Sequence, residues 1–182
     1  MTKREWRQEM KKRLGRMTAV GRRHASVRVL KKLYRISAFQ DASTVLFYAA
    51  LRDEVDTFPA IRRALKLGKR VALPCIGTAK GRMFIREIHD LKRDLVKGPF
   101  GIMEPGEKLP RMRKSQLDLV LCPALAFDLG GTRLGRGGGY YDRFLKSLKR
   151  GTKVVGLAFR CQRVARLPRK PHDARVHEII AG

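Results

Sequence analysis

Trp6, Met10 and Leu14 recur at intervals of four along an otherwise charged stretch. That period lays one apolar stripe on a helix over residues 3 to 14. Gly15 and Gly21 interrupt the pattern, and a second helix follows to about Tyr34, with Val27, Leu30, Leu33 and Tyr34 on one face. The apolar runs then shorten. Residues 44 to 50 read as a β-type run, and Asp56 or Thr57 can cap a helix reaching about Lys66, with Pro59 in its first turn. Residues 70 to 76 form a buried strand, residues 77 to 81 a turn, and residues 83 to 88 an alternating strand. Residues 97 to 113, rich in Gly and Pro, read as one long loop of the kind that often carries function. Residues 117 to 125 are the strongest strand, apolar enough for burial on both faces. A helix over residues 140 to 150, a buried strand over 154 to 159, a loop over 162 to 173 and a final strand or turn over 174 to 180 complete the pattern.

Helices alternating with short apolar strands predict an α/β fold: a mainly parallel sheet covered by helices on both faces. In such sheets ligands bind beyond the carboxyl ends of the strands. There is no internal repeat or low-complexity tract, and 182 residues suit one compact domain. No window approaches the roughly 18 apolar residues of a membrane span. The opening stretch is basic but has no apolar core, so it does not read as a secretory signal, and Glu5 and Glu9 argue against a mitochondrial one. Cys75, Cys122 and Cys161 are far apart, which suits buried thiols in a reducing compartment; a cytoplasmic protein is expected.

Charge changes the picture. Lys and Arg number 42 against 16 Asp and Glu, a net of +26. The excess is spread along the whole chain. Two readings stay open: a solvated basic surface, or a surface for nucleic acid or another polyanion, a nucleotide or polyglutamylated molecule included.

The richest local chemistry is Arg133-Leu134-Gly135-Arg136-Gly137-Gly138-Gly139-Tyr140-Tyr141-Asp142. Glycines let backbone N–H groups approach an anion, arginines supply fork-shaped donors, and Asp142 offers oxygens to a hard cation. The run is neither a P-loop, which needs Lys-Ser or Lys-Thr after the glycines, nor a dinucleotide fingerprint, because one glycine is out of step. An anion-binding loop is favoured over a plain flexible hairpin. Taken singly, Lys3 and Arg7 read as a solvated helix stripe, Asp173 as a loop or cap residue and Glu54 as a charge at a helix start.

Together the motifs resemble the 5-formyltetrahydrofolate cyclo-ligase family, also called 5,10-methenyltetrahydrofolate synthetases. The likeness rests on Leu121 to Asp128 followed by Arg133 to Arg143. It is supported in order by Lys3 with Arg7, Glu54-Val55-Asp56-Thr57, Gly68 to Pro74, Phe100 to Pro105, Gln162 to Val164, Leu167-Pro168 and His172-Asp173. The resemblance implies a single three-layer α/β/α domain over residues 1 to 182, Rossmann-like with a mainly parallel sheet. It implies an ATP- and Mg²⁺-dependent closure of 5-formyltetrahydrofolate to 5,10-methenyltetrahydrofolate. The formyl oxygen is phosphorylated, N10 attacks the activated carbon, and phosphate leaves alongside ADP.

The family's roles carry over as follows. ATP would meet Lys3, Arg4, Glu5, Trp6 and Arg7, and then Arg133, Leu134, Gly135, Arg136, Gly137, Gly138, Gly139, Tyr140 and Tyr141. The folate would meet Ala49, Glu54, Arg136, Gly137, Gly138, Gly139 and Tyr140, with Glu54 accepting the pterin's adjacent N–H donors. Arg136, Gly138 and Tyr140 would act in catalysis, and Asp142 and Asp173 would hold Mg²⁺. Some members carry Lys between the loop glycines; Gly138 stands here, which moves the positive charge to Arg136 and Arg133. A monomer is expected, acting on a folate that is free or polyglutamylated. Two alternatives stay open: a repurposed relative that binds RNA or another polyanion through its basic surface, and a relative acting on a different formylated substrate.

Overall fold

The computed structural model describes residues 1–76, 82–98 and 101–182. The expected turn over 77 to 81 therefore lies outside the described residues, as do Pro99 and Phe100. Helix α1 (Lys3–Gly15) starts at a reciprocal cap: Thr2 Oγ1 accepts from Glu5 N, and Glu5 Oε2 accepts from Thr2 N. Its Met10 and Leu14 are buried as the period predicts. Helix α2 (Ala19–Leu33) begins earlier than expected. Gly21 lies inside it, its N–H taken by the capping Thr18 hydroxyl at 3.0 Å. Its buried face is Ala25, Ser26, Val29, Leu30 and Leu33, while Val27 faces solvent, so the stripe is rotated from the one expected. The short α3 (Ser37–Gln40) leads into β1 (Thr44–Leu46).

Helix α4 (Phe58–Lys66) follows, with Asp56 Oδ1 accepting from Phe58 N at 3.0 Å. Thr57 turns inward instead, its hydroxyl donating to the Tyr48 carbonyl at 2.6 Å. Strands β2 (Arg70–Ile76) and β3 (Met83–Ile88) lie where the pattern puts them. The expected long loop contains structure: β4 (Leu95–Lys97) pairs antiparallel with β5 (Met103–Pro105). A 3₁₀ turn at Lys114–Gln116 precedes β6 (Leu119–Cys122), which is shorter than its apolar run because Pro123, lacking an N–H, ends the ladder. Leu125 N donates to the Leu134 carbonyl, and the chain then enters a second sheet of β7 (Ala126–Asp128), β8 (Arg133–Leu134) and, later, β10 (Arg163–Val164). Helix α5 (Tyr140–Lys146) stops before residue 150, because the Ser147 hydroxyl and N–H both donate to the Phe144 carbonyl. Strand β9 (Lys153–Ala158), a 3₁₀ turn at Arg160–Gln162 and β11 (Glu178–Ala181) close the chain's order.

The main sheet runs β11-β9-β6-β1-β2-β3, parallel throughout except for the β2–β3 pair. From β1 the chain winds outward to β2 and β3, then returns to β6 on β1's other side. A crevice opens at that reversal, beyond the carboxyl ends of β1 and β6. Alternation sorts the strands cleanly. Val45, Val71, Leu73, Leu119, Leu121, Val155 and Leu157 face α1, α2 and α4. Leu46, Ala72, Val120, Cys122, Val154 and Ala158 face Phe127, Phe144 and Leu145. The mainly parallel α/β sheet is as expected, but the second face is covered by one short helix and by Phe127 rather than by a full helical layer.

Phe127 is fully buried, worth roughly 1.5–3 kcal/mol of transfer free energy. It is accommodated only because β9 has Gly156 opposite: a Cβ there would stand 2.5 Å from the Phe127 ring. Gly156→Ala should therefore lower stability by about 1–3 kcal/mol in chemical denaturation. Adding Phe127→Leu should return part of that loss. Two losses that simply add would show that the pair does not share the space.

Candidate active site

The crevice at the switch point widens into a cavity of about 1280 Å³. Its walls come from the chain after β1 (Tyr48, Ala49), the end of β2 (Pro74, Ile76), the chain after β6 (Pro123, Ala124), the glycine loop and residues 168 to 173. Helix α1 reaches it through side chains four residues apart, which share a helix face. Arg7 Nε donates to the Gly135 carbonyl at 3.0 Å, and Lys3 Nζ lies 2.6 and 2.5 Å from the two Asp173 oxygens. Burial works against the Asp173 charge, yet Lys3 Nζ and Lys170 N, both donating into the carboxylate, hold its pKa below the ordinary value.

The loop that follows β8 needs its glycines. Gly137 and Gly139 have φ of 117° and 66°, in the region that side chains avoid. A Cβ on Gly138 would fall 2.6 Å from the Tyr140 ring. Arg143, one turn into α5, donates to the Gly138 carbonyl at 2.6 Å and fixes the loop's far end. Helix α5 spans only 7 residues, so most of the positive potential here comes from side chains rather than a helix dipole.

Arg136 ties this loop to the segment after β1. Its Nη2 lies 2.6 Å from Asp53 Oδ1 and 3.2 Å from Glu54 Oε1. Glu54 Oε2 also accepts from Leu51 N at 3.0 Å. Burial raises the Glu54 carboxyl above its ordinary value of 4.5, and neither the Leu51 N–H nor Arg136 cancels the effect. The segment is braced from below: the buried Tyr48 hydroxyl donates to the Val55 carbonyl at 3.1 Å.

Arg133 and Asp142 form a second pair at 2.7 Å, with the Arg133 side chain 3% exposed and its guanidinium 5.5 Å from the Tyr141 ring centre. Arg133 thus lines the cavity chiefly as the counter-charge of Asp142. Its Nε and the Tyr141 hydroxyl are buried without hydrogen-bond partners, two unused donors beside the cavity. Nearby Cys122 is unsuited to nucleophilic work, because burial pushes its thiol up to about 12.

The structure brings together Lys3, Arg4, Arg7, Ala49, Glu54, Asp142, Asp173 and every residue from Arg133 to Tyr141 as lining of this one cavity. Two expected residues are placed elsewhere. Glu5 is engaged in the α1 cap, and Trp6 packs against the core with Arg13 over its ring. Asp53 had no expected role; its acidic position beside Glu54 was the available signal. The apolar walls Met83, Ile102 and Met103 were invisible before folding because they come from β3 and the β4–β5 ribbon.

Among the described residues no three His, Cys, Asp or Glu side chains are grouped as a metal cage. Asp142 accepts from Arg133 and Ala174 N through Oδ1, whereas both Asp173 oxygens accept from Lys3. This donor set fits Mg²⁺ in the manner of a phosphate-bound ion, which takes one or two carboxylates and draws its other ligands from phosphate oxygens and water.

The sequence pattern of the 5-formyltetrahydrofolate cyclo-ligase family matches residues 1–182. The chain is 31% identical to the mouse 5-formyltetrahydrofolate cyclo-ligase over 98% of its own length and 92% of that protein's. It is 30% identical to the Haemophilus influenzae 5-formyltetrahydrofolate cyclo-ligase, covering 97% and 95% respectively. The solution structure of Aquifex aeolicus 5,10-methenyltetrahydrofolate synthetase superposes with a TM-score of 0.86 at 34% identity, covering all of this chain and 90% of that one.

The raised Glu54 carboxyl has a thermodynamic consequence. A carboxyl whose native pKa lies above its unfolded one stabilises the fold at low pH and loses that contribution as pH rises between the two values. Glu54→Gln should therefore be more stable than the parent at pH 7. The advantage should shrink as pH falls through the raised native value and vanish below about 4.5. Urea midpoints measured across pH 4 to 8 read this directly; a constant gap would exclude Glu54 ionisation as its source.

Proposed function

The chain belongs to the 5-formyltetrahydrofolate cyclo-ligase family of ligases, and we propose that it closes 5-formyltetrahydrofolate to 5,10-methenyltetrahydrofolate at the expense of ATP, as a single-domain cytoplasmic monomer. The observation that carries this reading is the meeting, in one cavity, of a cationic glycine loop and a buried carboxylate held against it by Arg136. The first suits phosphates, and the second could accept the adjacent N–H donors of a pterin. Free cysteines are consistent with a reducing compartment.

In the proposed reaction the formyl oxygen attacks the γ-phosphorus and ADP departs. N10 then adds to the activated carbon and loses its proton. The C–O bond breaks, and the former formyl oxygen leaves within phosphate. A carbonyl oxygen is a poor leaving group, so phosphorylation is what allows ring closure. The protein's part is positioning and charge stabilisation. Lys3 and Arg7 would hold the nucleotide from α1, and the loop N–H groups its phosphates. Glu54 and the Ala49 backbone would orient the pterin. Arg136 would offset charge developing on the transferred oxygens, with Tyr140 kept in place by the absent side chain at Gly138. Mg²⁺, held by Asp142, would neutralise phosphate charge; Asp173 would act chiefly by positioning Lys3. Arg143, Lys146, Arg169 and Lys170 also line the cavity, a set of cations suited to the carboxylates of a glutamylated substrate.

The test is appearance of the methenyl chromophore on mixing protein, 5-formyltetrahydrofolate, ATP and Mg²⁺. Folded protein that gives no signal would falsify the proposal. Arg136→Ala should cost roughly 10²- to 10³-fold in kcat, the scale for a charge-stabilising donor, and should lower the melting temperature as well, because it leaves the buried Glu54 without its counter-charge. Asp142→Asn should abolish turnover and shift the Mg²⁺ dependence. Because it also uncovers the buried Arg133, its folding should be followed separately by circular dichroism.

A further inference from the structure

Two stretches of the chain are free of acidic residues. Apart from His24 and His172, every ionisable side chain of Lys, Arg, His, Asp or Glu type between Glu9 and Asp41 and between Asp142 and Asp173 is Lys or Arg. The fold puts parts of both on one surface. The Arg160–Gln162 turn packs against α1, and Cys161 Sγ lies 3.6 Å from Met17 Sδ in the α1–α2 connection. Arg160 N donates to the Gly182 carbonyl, Gly182 packs against Val29 of α2, and Lys32 Nζ reaches the Ala181 carbonyl at 2.6 Å. The exposed side chains of Lys12, Arg16, Arg23, Arg28, Lys31 and Arg160 therefore share a face. Among the described residues none of these six forms an ion pair with a carboxylate, although Lys12 and Arg16 feel the charge of Glu9, which is paired with Arg13, and none lines the cavity.

Like charges carried on adjoining elements cost stability through self-repulsion, which salt screens only beyond about one Debye length, roughly 10 Å. A polyanion would relieve that cost. The chemistry of the face narrows which one. Its exposed large apolar residues, among those described, are Val20 and Val27. It therefore has no aromatic platform on which single-stranded bases could stack and no apolar wedge for a lipid surface. What it offers is a rigid row of cations: Arg23 to Lys31 spans about 12 Å of helix at 1.5 Å per residue.

We propose that this face binds the phosphate backbone of a nucleic-acid duplex, independently of base sequence and of the catalytic cavity. Duplex RNA and duplex DNA share the chemistry, and affinity for each separates the two sources.

The probe is a labelled duplex of about 20 base pairs, as RNA and as DNA, titrated by fluorescence anisotropy with the full chain. Affinity should fall roughly 10³-fold between about 50 and 200 mM salt, the scale for about six phosphate contacts. The triple variant Arg23→Gln, Arg28→Gln, Lys31→Gln should bind at least about 10-fold more weakly, and its log–log salt slope should flatten by about 2 to 3, near 0.9 per lost contact. The variant Lys92→Gln, Arg93→Gln, Lys108→Gln removes the same charge elsewhere and should stay within about 2-fold of the parent. Both should keep the parent's melting temperature and cyclisation rate; if the first triple melts early, its single variants carry the comparison. Equal losses in the two triples would reduce the effect to net charge and overturn the proposal. So would absent binding, single strands that bind as tightly as duplex, or displacement by poly-glutamate at equal charge.

Discussion

The site depends on one mechanical constraint: α1 is pinned to two segments distant from it in sequence. Arg7 grips the Gly135 carbonyl, and Lys3 closes on Asp173. The first contact sets where the glycine loop begins. The second draws the 168–173 segment against the same cavity. Both are possible because Met10 and Leu14, on the helix's other stretch, are locked into the core. A helix anchored by apolar burial at one end can hold polar groups at the other with little further loss of entropy.

Around that anchor the cavity keeps charges where water would ordinarily carry them. Glu54 is buried with its pKa raised, Arg133 is buried against Asp142, and the Arg133 Nε and Tyr141 hydroxyl lack partners. Each feature lowers stability relative to an apolar replacement. Preorganised charge in a cleft also serves binding and catalysis, since donors fixed in advance need not reorganise when a charged ligand arrives. The large apolar sheet beneath supplies the rigidity that makes this tolerable. Its strands alternate between two cores, and one of the tightest fits, Phe127 over Gly156, joins it to the second sheet from which the glycine loop emerges.

The basic face on α1, α2 and the 160s segment stands apart from this chemistry. In the cavity Lys3, Arg133 and Arg136 are paired with carboxylates and Arg7 is fixed on the loop. The six on the outer face form no ion pair among the described residues. Charge that is locally compensated serves geometry; charge left uncompensated serves long-range attraction.

Much was legible from the chain alone. Apolar period placed α1, β2, β3 and β9 closely, because each follows one unbroken pattern. The glycine loop, with its arginines and Asp142, announced anion chemistry because few other combinations let backbone and guanidinium approach a phosphate together. Pattern failed where an apolar run outlasts its strand, since β6 stops before Pro123 and β7 begins only at Ala126, and where residues 97 to 113 concealed a short hairpin edge that pairs back onto residues 95 to 97. It also failed where partners are distant. Nothing local tells that Arg136 closes on Asp53 and Glu54, that Arg133 is buried beneath Asp142, or that Lys3 meets Asp173. Residue type and spacing determined which groups could bind an anion; only tertiary packing decided which charges were paired, which were buried, and which were left for a ligand.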